Sequence, residues 1–182
     1  MKLLYRAIAA AVDYSVAIGK IPIVVNDSRG FYTSRVFSTY VREGMELLKE
    51  GVKPALIENA AKMAGMPVGP LAVTDEVSLE LAYKIGKETA ENLGREFPAD
   101  QSQEVVQKMV EQLDRRGKRF GKGFYDYPEG AKKHLWHGLA GQFPPADEQP
   151  PVAELKRRLL AIQALETVRC FEEGVLTHVE DA

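Results

Sequence analysis

The sequence is short of the residues that usually announce chemistry. It has one cysteine, Cys170, which cannot close a disulfide within the chain; this excludes a disulfide-stapled secreted scaffold and fits a reducing, cytosolic compartment. The helical, apolar setting of Cys170 marks a buried thiol rather than a nucleophile. Histidine occurs only at His134, His137 and His178. His134 and His137 are spaced to share one helix face, yet no third ligand pattern lies beside them, so they are expected to be solvent-facing linker residues and no metal is expected. His178 is expected to be structural. The formal charge of −2 supplies no overall basic field to hold nucleic acid or an anionic membrane. No run approaches the roughly 18 apolar residues that span a bilayer. The apolar start of the chain does not make a signal peptide, because Arg6 and Asp13 interrupt it.

What is present is ordinary for a globular protein. Hydrophobic residues make up 45% and charged residues 27% of 182, enough for one substantial domain and the start of another. Leu4, Ala7, Ile8, Ala11, Tyr14 and Ile18 recur at helical spacing, and Gly19 stands where a C-terminal cap belongs. Ile21-Pro22-Ile23-Val24-Val25 then has the profile of a buried strand with proline at its start. One such strand cannot satisfy its backbone without neighbours, which suggests the edge of a sheet domain.

From Phe31 the period becomes helical. Val36, Phe37, Tyr40, Val41, Gly44, Met45 and Leu48 form one stripe that Gly51 ends. Pro54 suits the first turn of a second helix stopping at Gly65. After the rigid Met66–Pro70 link, a third helix is expected from Leu71 or Asp75 to Leu93. Ser102 is placed to cap a further helix, with Val105, Val106, Met109, Val110 and Leu113 on its inner face, that ends at Gly117.

The segment Arg115–Pro128 interleaves basic residues, glycines and aromatics. A phosphate cradle is disfavoured because its glycines lack the Gly-x-x-x-x-Gly-Lys-Ser/Thr order and no strand precedes them. A nucleic-acid patch remains open but has little support in a slightly acidic chain. The preferred reading has Phe120, Phe124 and Tyr127 pinning an irregular closing segment onto the helices. Gln142–Pro151 then reads as a linker to a last helix. That helix repeats the first long one at an offset of 123 residues: Arg35 recurs as Arg158, Glu43 as Glu166, and Glu50-Gly51-Val52 as Glu173-Gly174-Val175. Val179-Glu180-Asp181-Ala182 then follows Ile57-Glu58-Asn59-Ala60 after one deletion. Recurrence of Glu43 and Glu166 argues for packing geometry over chemistry.

Gly19-Lys20-Ile21-Pro22-Ile23-Val24-Val25-Asn26-Asp27-Ser28-Arg29-Gly30-Phe31 resembles a signature of 3-hydroxyacyl-CoA dehydrogenases. Met66-Pro67-Val68-Gly69-Pro70 with Asp75, and Gly121-Lys122-Gly123-Phe124-Tyr125-Asp126-Tyr127, are similar to two further signatures of that family, in the same order. The linker and second copy resemble the tandem helical repeats of multifunctional fatty-oxidation α-subunits, in which a hydratase domain and an NAD-binding domain precede this region. There the tandem copies imitate the dimer contact of shorter relatives.

The resemblance implies a mainly α fold of the 6-phosphogluconate-dehydrogenase C-terminal type. It divides the chain into a helix–strand remnant of a Rossmann domain at 1–27, a helical domain at 28–130, a linker at 131–151 and a truncated second repeat at 152–182. It implies NAD as cofactor, a 3-hydroxyacyl-CoA as substrate, a cytoplasmic location, and self-association or domain contact through helices. The family's His base, its orienting Glu and its Gly-rich NAD loop are not matched here, and no Gly-x-Gly-x-x-Gly occurs. The fragment is therefore expected to be inactive alone. The family often has Asn four residues after the Gly of its first signature. Here that position is Ser34, either a reduced polar substrate contact or an exposed helix start. Arg35 beside it is placed either to reach the CoA phosphates or to pair with a helix-terminal carboxylate. Two other readings stand beside this one: a stand-alone helical interaction module, and the helical domain of a related NAD-dependent 3-hydroxyacid dehydrogenase.

Overall fold

The computed structural model describes residues 2–93 and 101–182. Among the described residues it is mainly helical, with one two-stranded antiparallel sheet. Two compact units divide the chain: Val36–Ala164, and Met1–Arg35 with Leu165–Ala182.

The larger unit is built around α2 (Thr33–Lys49), whose stripe behaves as its period requires: Tyr40, Val41, Gly44, Met45, Leu47 and Leu48 are buried. Phe37 is the exception and stays exposed. Gly44 is needed because a methyl there would overlap the ring of Pro70, so α2 and the start of α4 meet without room for a side chain. Gly51, at φ +88, ends α2: its N–H reaches Leu48 O and that of Val52 reaches Leu47 O, satisfying carbonyls the helix leaves open. Pro54 opens α3 (Pro54–Met63), and Gly65 closes it with the same two-bond geometry.

The single helix expected up to Leu93 is two. α4 (Pro70–Val77) and α5 (Leu79–Leu93) meet at Ser78, which holds φ +107. Its neighbours show why the chain breaks there: the N–H of Glu80 turns to Arg116 O, and Leu79 is turned wholly into the core. Ser102 lies inside α6 (Gln101–Gln107) rather than before it, and its N–H is taken by the Glu46 carboxylate. α6 widens into a π turn at Lys108–Gln112, short of Gly117. The wider turn buries Met109, whose carbonyl accepts from the N–H of Arg115 six residues on.

Beyond a 3-10 turn at Lys118–Phe120, β1 (Tyr125–Asp126) pairs with β2 (His134–Leu135). Phe124 is fully buried and Tyr127 partly so, as expected, but Phe120 is exposed beneath the Arg116 guanidinium. Leu139 of α7 (Leu139–Gln142) and Phe143 join the same core. Residues 144–151 carry no helix or strand before α8 (Val152–Glu172) begins, with Leu155 and Leu159 in the core.

In the smaller unit, α1 (Lys2–Ala17) forms as its spacing predicts, yet its stripe is not buried: Tyr14 lies exposed, as does Ile18 just past the helix, and the side chain of Leu4 is outside the described ones. Ile21–Val25 is not a strand here. A strand needs a partner edge, and among the described residues the segment's neighbour Asn26 gives its N–H to Val175 O without extending a ladder. A small apolar cluster of Cys170, Val175 and Leu176, flanked by Val25, Tyr32 and Phe171, is this unit's core.

Candidate functional site

Two of the sequence motifs converge in the larger unit on buried carboxylates. Asp75, 1% exposed on α4, accepts the N–H groups of Phe124 and Tyr125, one on each oxygen at 2.8 Å, and the hydroxyl of Tyr127 at 3.0 Å. Gly123 allows this closeness, since a methyl there would overlap the carboxylate. Burial pushes the Asp75 carboxyl up to about 6, although the two backbone donors, Tyr127 and the nearby Arg115 charge all pull it down.

Glu58 on α3 does the corresponding work for the other motif. One oxygen accepts from the N–H groups of Leu71 and Ala72 at 2.8 and 3.3 Å, capping α4, and the other accepts the Tyr125 hydroxyl at 2.7 Å. Gly69 passes so close to this carboxylate that a side chain is excluded. The hydroxyl of Tyr40 on α2 donates to Val68 O at 2.7 Å, fixing the Met66–Pro70 link from its other side. Burial, with Glu58 next, holds the phenols of Tyr40 and Tyr125 well above their ordinary range.

Arg115 completes the assembly from below the hairpin. Its guanidinium donates to Gly123 O at 2.6 Å, to Tyr125 O at 3.1 Å and to Asp126 at 2.5 Å, and it lies 4.2 Å from the Trp136 ring. Chemically the arrangement is a latch. The donors around Asp75 and Glu58 come from the protein's own backbone and tyrosines, so these groups bind the fold together rather than offer a base to a substrate. Glu58 and Arg115 were missed by sequence reasoning. Glu58 falls among Ile57, Ala60 and Ala61 on the buried face of α3, a charge in an apolar phase that was available as a signal. Arg115 carried none, because it sits in a run of basic residues.

The residues singled out by resemblance lie in the smaller unit. Ser34 is exposed in the first turn of α2. Arg35 donates from Nε to Glu166 at 2.7 Å and from Nη1 to Glu173 at 2.5 Å, so its guanidinium is shared between two carboxylates. The Glu173 bond is the main reason its pKa is raised, and Arg35 in turn lowers that of Glu173. Cys170 is buried beneath them, and its burial raises the thiol pKa. In the larger unit Arg158 meets Glu43 and Glu50 in the same manner, at 2.6 and 2.5 Å.

His134 and His137 face solvent with rings 5.1 Å apart, and among the described residues no cluster of three ligating side chains is arranged to hold a metal. A recess of about 290 Å³ is lined by Lys49, Glu104, Lys108 and Phe143. Both of its lysines are engaged: Lys49 pairs with Glu104, and Lys108 donates to Gln142 O while lying over the Phe143 ring. No described helix is long and apolar enough to cross a membrane.

The Met-Pro-x-Gly-Pro link and the Gly-Phe-Tyr hairpin, locked together by Asp75 and Glu58, both lie within a helical domain that a known family shares. Residues 30–127 match the family model of the 3-hydroxyacyl-CoA dehydrogenase C-terminal domain, and the chain belongs to that family. It is 36% identical over 180 residues to a fatty acid oxidation complex subunit alpha of Shewanella loihica and 33% identical to that of Shewanella oneidensis. In both cases the alignment covers 97% of this chain and 25% of the relative, so the chain spans about a quarter of the length of these relatives. Among solved structures, the dehydrogenase part of multifunctional enzyme 1 from C. elegans matches with TM-score 0.68 and 23% identity, over 94% of this chain and 39% of that one. The 3-hydroxybutyryl-CoA dehydrogenase of Escherichia coli K12 matches with TM-score 0.68 and 19% identity, over 97% and 53%. These two likenesses establish the shared helical fold.

Proposed function

We propose that these residues are the substrate-side helical part of an NAD-dependent 3-hydroxyacyl-CoA dehydrogenase of fatty-acid oxidation, working in the cytoplasm. The observation that carries this reading is the kinship with fatty acid oxidation complex alpha subunits along nearly the whole chain. In that reaction hydride leaves C3 of the 3-hydroxyacyl group for the nicotinamide while a base takes the hydroxyl proton. NAD, the base and its orienting carboxylate belong to a sheet domain, of which residues 1–27 are the remnant. Residues 28–130 form the helical wall, 131–151 lead on from it with β2 and α7 packed into its core, and 152–182 open a second copy.

Ser34 and Arg35, beside Gly30 and Phe31 at the start of α2, are the residues proposed to face substrate. Ser34 supplies a hydroxyl that donates or accepts. Arg35, though held by two carboxylates, keeps a cation near the entry of the acyl-CoA. The test uses the polypeptide that joins this region to its NAD-binding domain. Ser34→Ala is expected to lower kcat/KM roughly tenfold, about 1.4 kcal/mol of transition-state stabilisation, with little change in melting temperature. Ser34→Asn should retain turnover. Wild-type kinetics in the alanine variant, or a drop in melting temperature without a kinetic effect, removes Ser34 from the site.

A further inference from the structure

Of the three aromatics expected to pin the closing segment, Phe124 and Tyr127 turn inward and Phe120 does not: its ring is 39% exposed, with the Arg116 guanidinium 5.7 Å from its centre. It stands in a basic stretch of a slightly acidic chain. Residues 114–133 carry seven lysines and arginines against Asp114, Asp126 and Glu129, while the whole chain has a net charge of −2. The ion pairs there leave positive charge over. Arg115 and Asp126 close on each other beneath the hairpin. Arg116 and Lys122 share Asp114, each at 2.9 Å, and Lys118 and Lys133 share one oxygen of Glu76 on α4, at 3.9 and 3.2 Å. Arg116 also lies 4.0 Å from Glu80, which Lys84 already meets. Among the described residues, Arg119 and Lys132 have no carboxylate partner. The turn that carries these cations is fixed. The Gly117 N–H donates to Lys122 O at 2.8 Å and that of Tyr127 to Gly121 O at 3.0 Å, and a methyl on Gly117 would overlap Asp75 O. Gly121, at φ +74, has no atom but those of its chain neighbours within 4 Å of where a Cβ would stand, which leaves space beside the ring.

An exposed ring beside a rigidly mounted excess of cations matches a ligand that is aromatic at one end and multiply anionic at the other. We propose that the Lys118–Phe120 turn and its flanks bind a nucleoside diphosphate group, with the base against the Phe120 ring and the phosphate oxygens on Arg119 and the cations around it. The charge comes from side chains and not from the N–H groups of a glycine loop, so the missing Gly-x-x-x-x-Gly-Lys order does not weigh against it. Because the turn is already ordered, little freedom is lost on binding. Two sources carry this chemistry: a free nucleoside diphosphate and the ADP portion of a CoA thioester. A single-stranded nucleic acid offers the same groups in series, but it needs a groove with several exposed aromatics, and here the cations surround one short turn and one exposed ring. The proposal rests on charge and exposure at this turn and not on the dehydrogenase reading, so either can fail alone.

The test titrates the 182-residue chain with ADP, CoA, inorganic pyrophosphate and adenosine by calorimetry. ADP should saturate one site, pyrophosphate should bind about tenfold more weakly for want of stacking, and adenosine should bind more weakly still for want of charge. Added salt should weaken ADP binding. Phe120→Ala should bring ADP down to the level of pyrophosphate and leave pyrophosphate unchanged. Arg119→Ala should weaken both by roughly fivefold or more. Phe120 is exposed and Arg119 has no ion pair, so both variants should keep the wild-type melting temperature; if Phe120→Ala does not, Arg119→Ala decides alone. CoA binding that depends on Phe120 and Arg119 as ADP binding does makes the thioester's nucleotide a ligand of this turn. CoA binding without that dependence, while ADP keeps it, leaves the free nucleotide as the ligand. Failure of both ADP and CoA to saturate at millimolar concentration overturns the proposal. Equal binding of ADP and pyrophosphate, unmoved by Arg119→Ala, overturns it as an ion atmosphere only. A single-stranded oligonucleotide that binds more tightly than ADP, in proportion to its length, overturns it in favour of a nucleic-acid surface.

Discussion

The two units of the chain treat similar sequence patterns differently. In Val36–Ala164 the apolar stripes of α2, α3 and α6 share one buried core, and the buried charges Glu58, Asp75 and Arg115 are each held by several hydrogen bonds. In the other unit α1 has an equally helical spacing, yet Tyr5, Tyr14, Val16, Ile18, Ile21 and Val24 are exposed. Periodicity decides whether a segment can be a helix. Burial depends on whether an opposing surface exists, which a local pattern does not record. Exposure of these apolar side chains accords with the proposed role of the first residues as part of a sheet domain.

The sharpest way to break this contrast is to unfasten the latch. Asp75→Ala leaves two buried N–H groups and a tyrosine hydroxyl unpaired. At about 1–3 kcal/mol for each orphaned group, a loss of roughly 3–9 kcal/mol is expected in urea unfolding, comparable with the whole stability of many domains. A loss below about 1 kcal/mol would show that the hairpin does not depend on Asp75. The same carboxylate gives a pH signature. Its folded-state pKa of about 6 lies above the ordinary 3.8, so the folded chain holds the proton more tightly than the unfolded one. The stability this contributes is complete below about pH 4 and is lost as pH rises through about 6. The stability difference between wild type and Asp75→Asn should therefore fall, by on the order of 3 kcal/mol, between about pH 4 and 6, and be flat above. A flat difference throughout would place the Asp75 pKa in the ordinary range.

Arg35→Ala and Arg158→Ala compare the units directly. The Arg35 side chain is 16% exposed and that of Arg158 30%, and the core around Arg35 is the smaller. We expect losses of about 2 and about 1 kcal/mol, charge-assisted bonds being worth more where they are less solvated. Hydrogen exchange should show Arg35→Ala loosening the turn at Gly174 while protection at Phe124 and Tyr125 is unchanged. Loosening of both would mean that the units unfold as one.

Much of the larger unit was legible in the sequence. Pro54, Gly51 and Gly65 marked helix ends by chemistry that works locally, and the recurrence of Arg35, Glu43 and Glu50 as Arg158, Glu166 and Glu173 picked out the residues of two matching ion-pair clamps. The misses were tertiary. Ser78 holds a backbone conformation that serine disfavours, and only the burial of Leu79 and the bonds to Arg116 explain it. Ile21–Val25 has strand composition but no neighbouring strand among the described residues, and composition cannot supply one. In the site, the motif of Asp75 and the Gly121–Tyr127 segment were visible as separate strings; that one carboxylate joins them required the fold. Ser78→Gly measures the cost of the first miss. It should stabilise the chain by about 1 kcal/mol, since glycine enters the positive-φ region freely. No gain, or a loss, would mean the serine hydroxyl's bonds at this corner outweigh the strain.

Under the proposed function the chemistry is supplied from outside these residues, and NAD reduction by a 3-hydroxyacyl-CoA, followed by NADH absorbance, tests this most directly. The purified chain alone should show no turnover, and the polypeptide that joins it to an NAD-binding domain should show it. Turnover by the chain alone that disappears on mutating one of its own residues, or none from the joined polypeptide, would contradict the account.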